Sequence, residues 1–509
     1  MKNNRIISFL IIILVLFSGC AKTALEMVAD EPAPYTLGSL VGTVYLTADG
    51  DVYTRGADRS TLGFYQTKLG QGEGITHCEK PVKILSGAVK ATTGLALKKN
   101  GELWVWGDNS MGCSIGLPED VKAAYTPVLL MKDVVDFDRK SALKLNGELW
   151  GWSWTAYADP VTGEPAATTP VKIASNVISF CCNTSAKNYG AFIKKDGSLW
   201  IYGNNVYTGE YLAKPVKLTE NVVECSADEQ VMFIKSDGSL WGFGNNECGQ
   251  VGNGDCGDLD PGTYDRVVGE PIHILDDVAH VYAKAQCTFA VTTDGTLYGW
   301  GRNFYGMLGA DNGIERSPGI LEEASYSEDF KVQPSPVVIA RDVKNLYLPF
   351  LPFSGYYTDN NDALWAWGGG TLGTGEGVPL AANVPNCAAA AKLLKETEIR
   401  KSEPVQILEN IRCVVGDDSG YTYALAMDGT YYRWGVDTFT RAKTYGEANV
   451  IVFCTFKPDG TQDKVTGVWS SLIDTGYAGE LGEPGEEIAG GIGYVYSQIL
   501  TPEPCEFPG

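Results

Sequence analysis

One short pattern recurs along the chain and constrains its fold more than any other feature. In its clearest copy, Asp237-Gly238-Ser239-Leu240-Trp241-Gly242-Phe243-Gly244, an Asp-Gly pair precedes a run of alternating large residues. Asp-Gly between apolar runs signals a β-hairpin, and the simplest such turn is the two-residue type I′. Leu240 and Trp241 then project to opposite faces of one strand, and Trp241 shares its face with Phe243. Both faces are apolar, so the strand is expected to be covered on both sides.

The same pattern begins at Asn100-Gly101, Asn146-Gly147, Asp196-Gly197 and Asp294-Gly295, with looser copies at Asp49-Gly50, Asn361-Asp362 and Asp428-Gly429. Ten of the twelve tryptophans fall inside these hairpins, so the core is built there. Repeats spaced by some tens of residues point to solenoids or propellers. A lone hairpin cannot bury two apolar faces, whereas radially stacked four-stranded blades can. Between hairpins lies a second recurring element: Pro81-Val82, Pro127-Val128, Pro170-Val171, Pro215-Val216, Pro271-Ile272, Pro336-Val337 and Pro404-Val405. Proline is tolerated as the first residue of a strand, where no ladder N–H is required. A Pro-Val strand, a Val-containing strand and the hairpin that follows therefore read as one blade.

These hairpins resemble the RCC1-like repeats (regulator of chromosome condensation), over about residues 43 to 435. The resemblance extends to the family's Gly-x-Asn-x-x-Gly-Gln-Leu-Gly loop, seen in Gly244 to Gly252, in Gly301-Arg302-Asn303-Phe304-Tyr305-Gly306-Met307-Leu308-Gly309, and partly in Gly107-Asp108-Asn109-Ser110-Met111-Gly112. It implies an all-β fold, a β-propeller of four-stranded blades. The family has seven blades, and the hairpin count allows eight. The chain departs from the family in lacking its Gly-x-x-His-Ser segment. The histidine position falls near Gln230, Cys287 and Tyr421.

Residues 1–19 read as an export signal, with Lys2 and Arg5 ahead of the apolar run Ile6 to Phe17. That run is too short to span a bilayer permanently. Phe17-Ser18-Gly19-Cys20 resembles the lipobox of bacterial lipoproteins, which implies lipid attachment at Cys20 and a protein held outside the cytoplasm by that lipid alone. Residues 20–38 read as a tether, 39–456 as the propeller, and 457–509 as a Gly/Glu/Pro-rich tail with partial disorder. Within the propeller, Ala310 to Gln333 and Gly369 to Lys401 are insertions. Cys387 to Arg400 has a helical composition, with Asn386 as its N-cap, and predicts a small helix in one late blade loop. Asn449 to Phe456 is a candidate ring-closing strand.

A formal net charge of −22 offers no basic surface for phosphates, so nucleic acid is excluded as a partner. The cysteines after Cys20 do not recur at one repeat position, which favours thiols over a disulfide framework. Cys248 and Cys256, flanking one loop, are the candidate pair. Asn253, Asp255, Asp258 and Asp260 crowd one loop and are weak calcium candidates, but they do not fit the EF-hand spacing. No other metal site and no cofactor is indicated.

His77, His273 and His280 are the only histidines, and none accompanies a recognisable nucleophile motif. The expectation is a non-enzyme: a cell-surface platform for a protein or glycan, with Tyr207, Tyr211, Phe304 and Tyr305 as loop aromatics suited to partner contact. The competing readings are a structural spacer of an envelope complex and a polysaccharide hydrolase. The last would require two carboxylates about 5 to 10 Å apart.

Overall fold

The computed structural model describes residues 36–39, 42–46, 50–57, 69–75, 77–92, 94–109, 115–138, 140–152, 169–182, 189–204, 211–256, 267–284, 286–303, 306, 308, 314–315, 331–348, 354–369, 372–375, 400–416, 421–437, 450–456, 462–470 and 497–505. Among them every regular element is a β-strand. The export signal, Cys20 and nearly all of the Cys387 to Arg400 segment lie outside the described residues. Arg400 itself opens a strand.

Each hairpin forms the middle pair of one antiparallel meander. The fifth sheet shows the plan: Val222–Ala227, Gln230–Lys235, Leu240–Asn245 and Val267–Leu275, hydrogen-bonded in that order. Seven sheets have four strands in this arrangement, the blade of a β-propeller. An eighth, starting at Val278–Lys284, adds the two-residue strand Ile314–Glu315 outside its fourth strand, Lys331–Ala340. The chain divides into two compact units, one holding residues 97–123 and 128–343, the other residues 32–96, 124–127 and 344–509.

Three expectations are corrected. The Pro-Val strand belongs to the hairpin before it, as the fourth strand of that sheet, and does not open the next one. Its proline is interior in six sheets, as Pro271 is within Val267–Leu275, and only Pro170 precedes its strand. An interior proline is tolerated because this strand is a sheet edge and its pairing slips there. Gly242 faces Ile272 and Gly244 faces Val268, so Pro271 sits where the ladder is interrupted. The tether and tail boundaries also move: Thr36–Ser39 is the first strand of the first sheet, and Ser497–Cys505 is the fourth strand of the last. Val450–Phe456, read as a candidate ring-closing strand, pairs among the described residues with Gln462–Ser470 in a separate two-stranded sheet.

The third correction concerns the turn. A type I′ turn needs positive φ at both central residues. Here Gly238 has φ 85° and Asp237 does not share the left-handed region. The Gly238 N–H donates to the Lys235 carbonyl (2.9 Å) and the Lys235 N–H to the Ser239 carbonyl (2.9 Å). This is the three-residue loop, a type I turn followed by one left-handed residue. The Asp237 Oδ1 accepts from the Ser239 N–H (3.0 Å) and hydroxyl (2.5 Å), which fixes the turn and holds the Asp237 carboxyl below its usual range. The seventh sheet keeps the geometry without glycine, with Asp362 at φ 61°.

The tryptophans fall into two classes. Trp106, Trp152, Trp300, Trp367 and Trp434 are wholly buried. Trp104, Trp150, Trp200 and Trp241, two residues earlier in their motif, are half-buried. Each lies under the lysine that precedes its turn, from Lys194 at 4.0 Å to Lys144 at 5.2 Å. The lysine stem thereby covers the exposed indole face while its charge stays in water.

Candidate interaction site

The residues that recur are occupied with holding sheets together. Six hairpin glycines offer their carbonyls to the first strand of the following sheet: Gly50 to the Ala88 N–H, Gly101 to Val134, Gly147 to Val177, Gly197 to Val222, Gly238 to Val278 and Gly295 to Val343, all at 2.8 to 2.9 Å. Asp362 does the same for Ile411 (2.8 Å). The residue just before the receiving strand is left-handed each time: Gly87, Asp133, Asn176, Asn221, Asp277, Asp342 and Asn410. Only Gly, Asn and Asp occupy these places, the residues that adopt positive φ at least cost.

The Gly-x-Asn loop motif is structural as well. Asn246 is buried. Its Oδ1 accepts from the Val251 N–H (3.0 Å), and its Nδ2 donates to Asn253 Oδ1 (3.0 Å) and the Asp255 carbonyl (2.7 Å). Asn303 accepts from the Leu308 N–H (3.1 Å) and Asn109 from the Ile115 N–H (3.1 Å). Val251 and Leu308 are wholly buried and Ile115 half-buried, and Gly252, Gly116 and the corresponding Gly373 lie against buried tryptophans. A Cβ on Gly252 would stand 2.5 Å from Trp300 Nε1, on Gly373 3.2 Å from the Trp434 ring, and on Gly116 3.3 Å from the Trp152 ring. The loop of the second sheet thus ends at Ile115-Gly116, a match that sequence inspection misses because the loop is longer by one residue.

Gln230, at the position where the resembling family has histidine, is wholly buried. Its amide donates to the Cys287 carbonyl (2.8 Å) and Thr288 Oγ1 (2.9 Å), and the Thr288 hydroxyl donates to the Gln250 carbonyl (2.7 Å). The Trp300 indole N–H reaches the same carbonyl (3.0 Å).

What does not repeat is found where first strands of successive sheets lie side by side in the unit holding residues 128–343. Glu224, buried on Val222–Ala227, accepts the Val281 N–H (2.9 Å) and faces His280 Nδ1 (3.1 Å). Ser226 Oγ accepts the Ala283 N–H (2.9 Å). The Glu224 bond raises the His280 pKa, against the opposing effect of burial. His280 keeps 39% of its side chain exposed, so it presents an oriented, readily protonated imidazole to solvent. One junction earlier, Cys181 and Cys225 bring their sulfurs to 3.2 Å. Neither pair carries a local sequence signal, because each joins residues 56 or 44 positions apart.

The sequence-derived binding residues fare differently. Tyr211 is not on a loop: it starts the strand Tyr211–Thr219, paired with Asn204. Tyr207, Phe304 and Tyr305 lie outside the described residues, as do Asp49, Asp258 and Asp260. Asp255 is exposed, and its N–H donates to Asn253 Oδ1 (3.2 Å). Among the described residues, no group of three or more His, Cys, Asp or Glu is placed to hold a metal ion. Cys248 and Cys256, the candidate pair, are both thiols. Every described carboxylate with a resolved shift, from Asp51 beside Lys83 to Asp428 in its turn, is held below its usual pKa. A glycosidase acid needs the opposite displacement.

The fold is thus an all-β propeller of four-stranded blades. Residues 278–306 match the model of the regulator of chromosome condensation (RCC1) repeat. No curated protein matches the sequence. Similar solved structures are numerous, and three serve as examples. Prp20p from Saccharomyces cerevisiae, described with its binding to Gsp1p and histones, is 17% identical, over 78% of this chain and 83% of its own, at a TM-score of 0.44. Yeast RCC1 (Prp20) bound to Kap60 is 16% identical over 82% and 83%, at 0.41. Human WBSCR16 is 15% identical over 79% and 99%, at 0.43.

Proposed function

We propose that this chain is an exported propeller, held at the outer face of a bacterial membrane through lipid on Cys20, that acts as a platform for a protein or glycan partner. The observation that supports it is the inward use of the repeat. Turn carboxylates, hairpin glycines, loop asparagines and buried tryptophans are engaged within and between sheets, so recognition falls to residues that differ from copy to copy. Those are the half-exposed His280, held by Glu224, and the insertions at 310–333 and 369–401. Loops on a rigid scaffold are where binding residues concentrate. The apolar run before Cys20 and the charge of −22 support export and a partner other than nucleic acid.

Capture from envelope extract tests this reading, using the full chain, a form with residues 369–401 shortened, and Cys20→Ser. Binding by the first and not the second places recognition on that insertion. Equal capture by both moves it to other loops. Absence of a specific partner for any form favours a spacer. Cys20→Ser is expected to move the protein from the membrane to the soluble fraction, and an unchanged distribution would sink the lipid anchor.

A further inference from the structure

We propose that Cys181 and Cys225 are a disulfide-forming pair that covalently ties the first strand of the fourth sheet, Val177–Cys182, to the first strand of the fifth, Val222–Ala227. Their sulfurs are 3.2 Å apart across the junction, closer than two unbonded sulfurs ordinarily sit. A disulfide needs about 2.05 Å, so the sulfurs must approach by roughly 1 Å more to bond. The next junction is joined by polar side chains, Glu224 and Ser226 accepting the Val281 and Ala283 N–H groups. Here two thiols occupy the equivalent place in an apolar bed formed by Ala191, Val231, Phe233 and Phe243.

The chemistry balances by thiol–disulfide exchange. The Cys181 and Cys225 thiols lose two protons and two electrons in forming one S–S bond. A disulfide of small-thiol or protein type accepts both and is cleaved to two thiols, by way of a mixed disulfide. The thiol of Cys181 is pushed well above its ordinary pKa, first by its contact with Cys225 and then by burial. Exchange in the native state is therefore slow, and the bond is structural in character rather than catalytic. Cys182, adjacent in sequence, is the control thiol.

The test equilibrates the full chain in mixed reduced and oxidised glutathione, with urea kept below the unfolding transition so that buried thiols exchange. Alkylation of the remaining thiols and proteolysis follow. A peptide joining residue 181 to residue 225 is expected, accompanied by loss of two hydrogens from the intact mass and a higher thermal midpoint that reductant reverses. The link should persist in Cys182→Ser and vanish in Cys181→Ser. Alkylated Cys181 and Cys225 after equilibration, or a link that follows Cys182, would overturn the proposal. Because the oxidant is supplied in vitro, the result stands apart from whether the chain is exported.

Discussion

At the turn ends of the sheets, Gly50, Gly101, Gly147, Gly197, Gly238, Gly295 and Gly429 hold φ between 77° and 88°, and six of them donate no side chain yet supply the carbonyl that receives the next sheet. At the loop ends the solutions diverge. Asn109 reaches forward six residues and Asn246 and Asn303 five, Trp300 finds the Gln250 carbonyl, and Trp434 finds the Tyr356 hydroxyl (3.2 Å). Uniform turns mean that one local interaction sets every junction. Varied loops mean that each sheet needs its own packing, and it is on this varied side that the sequence has room for function.

The sharpest way to break the comparison is at Gly301, on the loop side. It holds φ 105°, and a Cβ there would meet the Gln286 carbonyl, which is backbone and cannot step aside. Gly301→Ala is expected to cost about 3 kcal/mol, combining strain with a forced backbone shift. Gly429→Ala, at a turn with open space around the missing Cβ, should lose only about 1 kcal/mol from its left-handed φ. Urea unfolding of both variants checks the order, and equal losses would remove the distinction between the two ends.

A second difference separates two buried tryptophans. Trp300 donates to the Gln250 carbonyl, whereas the buried Trp152 indole N–H has no hydrogen-bond partner among the described residues. Trp300→Phe should therefore lose about 1 kcal/mol more than Trp152→Phe, since the ring volume removed is the same and only one bond is lost. Equal losses by thermal unfolding would mean that water satisfies Trp152.

Hairpins and tryptophans are legible in the sequence because alternation and a glycine-bearing turn are local signals. The role of the fourth strand is not, since nothing within Pro271-Ile272 states which hairpin it joins. The last sheet is the extreme case: its third strand, Tyr431–Asp437, pairs with Ser497–Cys505, across the whole Val450–Ser470 hairpin. The turn class is hidden for a simpler reason. Asp-Gly suits both the two-residue loop and the three-residue loop, and the hydrogen bonds that decide between them involve Lys235 and Ser239, which many residues could replace. At the candidate site, Gln230 marked a departure from the family without showing that its amide joins two sheets. Glu224 and His280 meet only because their strands begin in register at Val222 and Val278.

The seventh sheet offers a smaller perturbation, of opposite sign. Asp362 occupies the place that glycine holds elsewhere, at φ 61°, with Lys344 Nζ 2.6 Å from its Oδ1. Asp362→Gly removes the strain and one exposed ion pair, which is worth little. The expected outcome is a gain of about 0.5 kcal/mol. A loss instead would assign the Lys344 pair more weight than exposed pairs usually carry.

The smallest effect concerns the junction that does not repeat. The His280 pKa is raised in the folded chain, first by its hydrogen bond to Glu224. Protonated His280 thus favours the folded state. Its contribution is complete below the unfolded value, about 6.5, and is lost as pH rises through the raised folded value. The thermal midpoint of the wild type should therefore fall slightly across that window relative to His280→Gln. Glu224→Gln keeps an oxygen for the Val281 N–H but removes the charge, and should flatten the same step. The turn carboxylates act in a different range: Asp237 and its counterparts have lowered pKa values, so their stabilisation is present above the unfolded value, about 3.9, and disappears as pH falls through the folded one. The two ends of the molecule's chemistry are thereby separable in one pH series. An acid-side loss is common to the repeats, and the neutral-side loss that the described residues support falls at the junction where His280 meets Glu224. If the neutral-side step survives Glu224→Gln, the imidazole is held by something other than that carboxylate, and the case for His280 as an oriented surface group falls with it.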